Sequence, residues 1–416
     1  MNPWRGLKHI PYNIWLLAVT TLINRSGTMV LPYLAIYMNK KIGVSTSAAG
    51  MVLMIYGLGA MITAPFVGKL ADKIGPVRVM RISLIVTGIL LYFYSFITDY
   101  YIIIIVTFIW AVVSESFRPA NLSLISFESD PAQIKTSFSL NRLAINLGMS
   151  IGPVIGGFLS QIDYSLLFYV NGSTSIIAGI FLSIVKFKEH NRNQSSIIAT
   201  AGLHQESNIK HLESGNKKFA ILNDRYFIIY LMALIPVCLV FFQFLGGLPL
   251  YIVGVLKYSE STFGLMMAIN TVLIILIEVP LNSTMEMWDD RKAIALGSLL
   301  AAAGFGAMAI SSNFILLIST IIVWTFGEMI FFPSCASYTA KISPDEKRGE
   351  YMGYFQMTFS FSLMMGPLIG AVLLDNFGAT FLWSIAFVFG MISTLSFLRL
   401  AKKIKNKMLI ILLRQR

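Results

Sequence analysis

Six ionisable side chains stand inside long apolar runs of this sequence: Arg25, Arg118 and Arg142, and Glu115, Glu278 and Glu328. A charge in the middle of a bilayer costs about 2.5 kcal/mol or more, so residues that carry one there face a cavity or a partner. Guanidinium groups match a carboxylate through a planar fork, which makes the arginines candidates for holding an anionic group. Carboxyl groups withdrawn from water can hold a proton near working pH, which makes Glu115, Glu278 and Glu328 candidates for proton coupling. Asn146, one helical turn from Arg142, joins the candidate substrate-binding set, as does Gln243 amid Phe241, Phe242 and Phe244. Glu115 and Arg118 are three residues apart and share a helical face, where they can neutralise each other. Static pairing and transport chemistry are both open to these residues, because three glutamates balance three arginines.

The surrounding chain must hold these groups in a membrane. It has 416 residues, 56% hydrophobic and 12% charged, against about 25% charged in an average soluble domain. Twelve segments reach the roughly 20 apolar residues of a transmembrane helix, so the expected class is an all-α polytopic membrane protein. The first segment begins after Tyr12 and lacks a small-residue cleavage site, so it reads as a retained helix. Basic residues gather on one side. Only Lys40, Lys41 and Lys257 fall outside, which places both termini in the cytoplasm by the positive-inside bias. The formal net charge of +12 then follows from topology and anionic lipid, without nucleic acid.

Other chemistry finds little support. Cys238 and Cys335 lie in apolar segments, and His9, His190, His204 and His211 have no metal-site spacing. No nucleophile–base pair or phosphate loop appears, so no enzyme, cofactor or metal is expected. A polar stretch over 187–224 divides the chain into a six-helix bundle at 1–186 and another at 225–400, followed by a basic tail at 401–416.

The fifth segment carries Gly148, Gly152 and Gly156, spaced to form one smooth helical stripe, with Pro153 and Gly157 beside them. Gly366-Pro367 and Gly370 repeat the pattern about 214 residues later, and Trp110/Trp324 and Pro119/Pro333 keep the same offset. Matched halves around a central site suit alternating access by rocking. The copies differ in their charges. Arg25 corresponds to Phe242, Arg118 to Phe332 and Arg142 to Gln356, the last a further substrate-binding candidate.

Between the second and third segments the chain reads Gly68-Lys-Leu-Ala-Asp72-Lys-Ile-Gly75-Pro76-Val-Arg78. This resembles the signature of the major facilitator superfamily, departing at Pro76 where a basic residue is usual. The resemblance implies twelve helices in two pseudo-symmetric bundles, with Gly68, Asp72, Gly75 and Arg78 forming a cytoplasmic gating latch. A charged turn that only fixes topology is the other reading of those residues. The Gly148 to Gly157 stretch is similar to the helix 5 motif of drug and metabolite exporters, and Arg118 to a helix 4 motif often linked to proton coupling. By this resemblance the chain is expected to be a monomeric secondary transporter of a bacterial inner membrane. It would export a small organic molecule against protons, the arginines suiting an anionic or carboxylate-bearing metabolite or siderophore. An uptake symporter and a non-transporting sensor or scaffold remain alternatives.

Overall fold

A computed structural model describes residues 10–129, 134–185, 224–285, 288–311, 313–344 and 348–414. The four histidines, the 187–223 part of the polar stretch, and the side chains of Gly68, Asp72 and the tail lie outside the described residues.

The described chain is helical almost throughout. In the first half, α1 (Tyr12–Ser26) and α2 (Val30–Lys40) form one interrupted span. They are followed by α3 (Thr46–Ile74), α4 (Pro76–Tyr94), α5 (Tyr100–Glu115), α6 (Phe117–Glu128), α7 (Ile134–Ile162) and α8 (Ser165–Ile184). The second half has α9 (Arg225–Phe241), a short irregular helical run to Val255, α10 (Glu260–Thr284), α11 (Asp290–Ala307), α12 (Phe314–Ile342) and α13 (Arg348–Arg414). Eleven segments are long and apolar enough to cross a membrane, the last covering Tyr351–Leu400. That last segment reverses at Gly378, whose φ of 80° is a conformation glycine adopts without a Cβ clash. Phe227 packs on Tyr351 at 4.3 Å and nearby Tyr230 meets Phe397 at 6.0 Å, so the two arms of α13 return to one face. The expected twelve crossings are therefore present.

We call the side holding Tyr12 and Leu400 the terminal face and its opposite the far face. Helices α1 to α8 pack mainly among themselves, as do α9 to α13, and the halves meet chiefly along α3 against α13 and α7 against α10. Pro76 departs from the usual basic residue but occupies the first position of α4, where its missing N–H has no helical partner to lose. Gly75 makes the preceding turn at φ 88°.

The glycine stripe of α7 receives the interruption between α1 and α2. A Cβ on Gly148 would lie 2.5 Å from Arg25 Cβ and 2.8 Å from Ser26 N; on Gly152, 2.7 Å from the Thr28 carbonyl oxygen; and on Gly156, 2.8 Å from Met29 Cβ. The second half repeats the arrangement. Where α9 gives way to a 3-10 turn at Phe242–Phe244, Gly246 and Phe242 press against Pro367 and Gly366. Each Gly-Pro stretch thus seats the broken first helix of its own half, which gives the sequence repeat a packing reason.

Gly152→Ala is expected to destabilise the protein by roughly 1–3 kcal/mol, because backbone lines the contact and cannot rotate away. Gly353→Ala, in a helix with nothing within 4 Å of the added Cβ, should be neutral or stabilising by up to about 1 kcal/mol. Thermal unfolding of both variants in detergent checks the difference.

Candidate functional site

The six membrane charges lie at one level. Counted from the far-face ends of their helices, they fall within about 9 Å of depth at 1.5 Å rise per residue.

In the first half, Glu115 and Arg118 flank the interruption between α5 and α6 at Ser116. They form no ion pair with each other. Instead the Tyr56 hydroxyl of α3 donates to Glu115 Oε1 at 2.8 Å and stands 3.3 Å from Ser114 Oγ. Arg118 is exposed, and its guanidinium has no hydrogen bond or ion pair among the described residues. Arg25, at the end of α1, has a buried Nε without a partner. Arg25 and Glu115 both lie within electrostatic reach of Tyr56 and Arg118. Two cations therefore share one carboxylate that a neutral hydroxyl already holds. Tyr56 was not among the sequence candidates, although a mid-span tyrosine hydroxyl signals a need for a polar partner.

In the second half the carboxylates dominate. Arg142 reaches across from α7 to pair with Glu278 of α10, whose side chain is 10% exposed. Glu328, on α12, is half-buried and accepts Asn270 Nδ2 at 2.9 Å, while the same amide reaches Thr325 Oγ1 at 3.0 Å. Arg142 is close enough to act electrostatically on Glu328. The structure thus groups Arg142 with the glutamates of the other half and leaves Arg25 and Arg118 as a separate cationic pair. Asn270 went unread in the sequence because an asparagine in a helix has no distinguishing spacing.

The remaining candidates divide by exposure. Gln356 is exposed and Asn146 half-buried, neither with a side-chain hydrogen bond among the described residues. Gln243 is only 4% exposed and donates to the Leu239 and Gly366 carbonyls at 3.0 and 2.8 Å, strapping the broken α9 to its Gly-Pro seat. Arg78 is exposed. Its neighbour Arg81 caps the end of α8 through the Leu182 carbonyl. The pairing of Asp72 lies outside the described residues. In the later copy of that loop, Lys341 meets Asp290 at 2.6 Å within the second half, and Asp289 caps α11. The Arg291 guanidinium, and then its backbone N–H, hold the Asp289 carboxyl below the usual range.

At the far face the halves are clasped. Lys40 pairs with Glu260 at 2.7 Å, and the Tyr164 hydroxyl donates to the same Glu260 oxygen at 2.6 Å. Tyr33 donates to the Pro153 carbonyl at 2.7 Å and lies 3.2 Å from the Glu260 carbonyl, while Gln161 donates to Ser261 at 2.7 Å. Asp375 accepts both the backbone N–H and the hydroxyl of Ser47, at 3.1 and 2.7 Å, although Ser45 already caps that helix end from within. Beside the clasp, Asp163 accepts the Ser165 backbone N–H and faces Lys41 at 3.5 Å; the N–H first and then Lys41 lower its carboxyl from the usual value. Toward the terminal face, Arg118 of α6, Arg142 of α7 and Gln356 of α13 are exposed, and we read the space that they border as a cleft closed at the far face.

Removing the charge of the clasp should loosen that closure. Glu260→Gln is expected to speed thiol labelling of a Ser47→Cys reporter from the far side by about tenfold, the factor that corresponds to roughly 1.4 kcal/mol. Labelling at an unchanged rate would show that the clasp does not hold the state.

Comparison with known proteins agrees with this architecture. The sequence model described as Major Facilitator Superfamily matches residues 14–277 and 247–407. The MFS-type transporter YqjV of Bacillus subtilis is 24% identical over 387 residues, covering 91% of this chain and 90% of its own. The quinolone resistance protein NorA of Staphylococcus aureus is 24% identical over 351 residues, covering 83% and 86%. A Na(+), Li(+), K(+)/H(+) antiporter of Planococcus maritimus is 22% identical over 385 residues, covering 86% and 89%. Among solved structures, nucleoside transporter NupG superposes with a TM-score of 0.74 at 16% identity over 95% of this chain and 99% of its own. Peptide transporter POT in complex with sulfate gives 0.70 at 16% identity, covering 95% of each chain. With its twelve crossings, two repeated halves and a family match over most of its length, the chain belongs to the Major Facilitator Superfamily and is a secondary transporter, not an enzyme.

Proposed function

We propose that this transporter exports a small organic molecule in exchange for protons, by rocking its halves about the charged cleft. The observation that carries the reading is Glu328, a half-buried carboxylate beside the cleft whose one hydrogen-bond donor among the described residues is the neutral Asn270. The other two acids are more strongly committed. Glu278 is in contact with Arg142, and Glu115 is held by Tyr56 in the field of two arginines. Around Glu328 stand Asn270 of α10, Thr325 of its own helix, and Arg142 of α7, which itself pairs with Glu278. A carboxylate with a neutral partner can exchange its proton for a cationic group of a substrate, and that competition is what exchange in opposite directions requires.

The relatives support the outward direction. One is named a quinolone resistance protein and another a cation/H+ antiporter. The positive-inside bias of the basic residues supports a cytoplasmic terminal face; the far face is then extracellular and the described state opens toward the cytoplasm, ready to load cargo. Opening to the outside would break the clasp at Glu260 and Asp375, let protons reach Glu328, and release cargo. Gly68, Asp72, Gly75 and Arg78 would then hold the cytoplasmic side closed.

The test is proteoliposome transport under an imposed proton gradient with a panel of anionic, neutral and cationic compounds. Glu328→Gln is expected to lower gradient-driven transport by at least about tenfold while leaving counterflow exchange intact. Gradient-driven transport that persists at the unmodified rate would remove Glu328 from the coupling step, and absence of proton movement with every compound would remove the antiport reading.

A further inference from the structure

The two walls of the cleft differ in charge, and each lacks something. On the first-half wall, Arg25 and Arg118 carry two positive charges against the single carboxylate of Glu115, and neither guanidinium has a partner among the described residues. Two cations within each other's field, one of them with a buried and unpartnered Nε, favour an anion between them. On the second-half wall, Glu278 and Glu328 carry two negative charges against the single cation of Arg142. One carboxylate there is open to a cation. With Arg142 of the first half counted beside the glutamates it faces, the two charged zones are unlike, one with a positive charge in excess and the other with a negative charge in excess.

Linkage restricts the cargo further. An anion beside a carboxylate makes that carboxylate hold its proton more tightly, so a purely anionic substrate and a proton reinforce each other's binding and travel in the same direction. Exchange in opposite directions needs a substrate group that the proton displaces, which on the second-half wall is a cation. A purely cationic substrate would leave Arg25 and Arg118 uncompensated. Beside its carboxylates the second half presents Phe332, one turn after Glu328 on the same helical face, and it also carries Phe242; both rings are only partly buried. Phe332 is backed by Phe241 at 5.1 Å and Phe359 at 5.4 Å, so it is a firm apolar surface. By the internal repeat, Phe242 and Phe332 stand where the first half has Arg25 and Arg118.

We propose that the substrate is an amphoteric molecule with an apolar, aromatic middle. Its anionic group lies between Arg25 and Arg118, its ring against Phe332, and its protonated amine at Glu328. The molecule neutralises both walls at once, whereas a proton neutralises only the second. This inference rests on the proton-exchange reading for the direction of coupling, but its charge pattern is tested by binding alone.

The probes are 4-(aminomethyl)benzoic acid, which carries both charges; its N-acetyl derivative, which carries only the anion; and its methyl ester, which carries only the cation. Binding to the full-length purified protein is followed by tryptophan fluorescence, with size-exclusion profiles confirming that each variant is folded. The parent compound is expected to bind at least about tenfold more tightly than either blocked form. Lowering the pH from about 8 to about 6 should weaken the parent and the ester but not the N-acetyl acid. Arg118→Gln should make the ester as good a ligand as the parent, and Arg118→Lys should restore part of the preference. Glu328→Gln should make the N-acetyl acid as good as the parent and abolish the pH effect. Equal affinity for the parent and a blocked form in the unmodified protein, or no binding of the parent at millimolar concentration, overturns the proposal. In that event, proton-driven flux of a compound of another class would leave the export reading standing. Conversely, the expected discrimination among the three probes without proton-driven flux of any compound would leave the site standing and remove the export reading.

Discussion

The close seating of a broken first helix on the glycines of the fifth underlies the rest of this structure. An interrupted span exposes backbone groups that lipid cannot satisfy, so the interruption must be enclosed by protein. The α7 stripe does this with glycines, allowing residues 25–29 to approach within contact of its backbone. Tyr33 supplies a hydrogen bond to the Pro153 carbonyl at the same place. Because the break is held there, Arg25 comes to rest beside Gly148 and within reach of Arg118 and Tyr56. The second half uses the same seat for a different content, with Gln243 strapping the turn and Phe242 filling the place of the arginine.

Charge placement follows from that scaffold. Membrane helices associate without a hydrophobic drive between them, through close packing and polar contacts. Here packing joins helices within each half and also brings Gly50 and Gly57 of α3 against α13 and Gly264 of α10 against Pro153, and polar contacts cross the same boundary. Lys40 with Glu260, Ser47 with Asp375, Gln161 with Ser261 and Arg142 with Glu278 all cross the boundary. Contacts of this kind can be exchanged for water as a cleft opens, whereas the glycine seats must persist. The division suits a molecule whose halves move as units.

Much of the fold was legible in the sequence because its signals are local. Apolar length gave the spans, the fourfold glycine spacing gave a contact stripe, and the repeated Gly-Pro gave two related halves. The break near Asn24 to Pro32 could also be read, since glycine and proline mark it. Partners were not legible. Arg142 and Glu278 are 136 residues apart, and Tyr56 and Glu115 are 59 apart, so nothing in local spacing joins them. Helical proximity suggests Glu115 with Arg118, but the Tyr56 hydroxyl from another helix holds the carboxylate instead. Gln243 was chosen for its polarity, yet the backbone it straps consumes its donors. The clasp has no sequence signature, because Glu260 and Asp375 sit at helix ends, where acidic residues are common on any protein.

The doubled cap on α3 has a consequence for the balance between states. When the halves part, Asp375 leaves, but Ser45 still accepts the Ala48 N–H from within the same helix, and the freed Ser47 N–H meets water. The helix end therefore survives the parting without unravelling. Stabilisation from Asp375 then belongs to one state alone and acts as a bias on the resting population. A bias of about 1 kcal/mol is roughly a fivefold preference, enough to keep the far side shut at rest and small enough for a bound substrate to reverse.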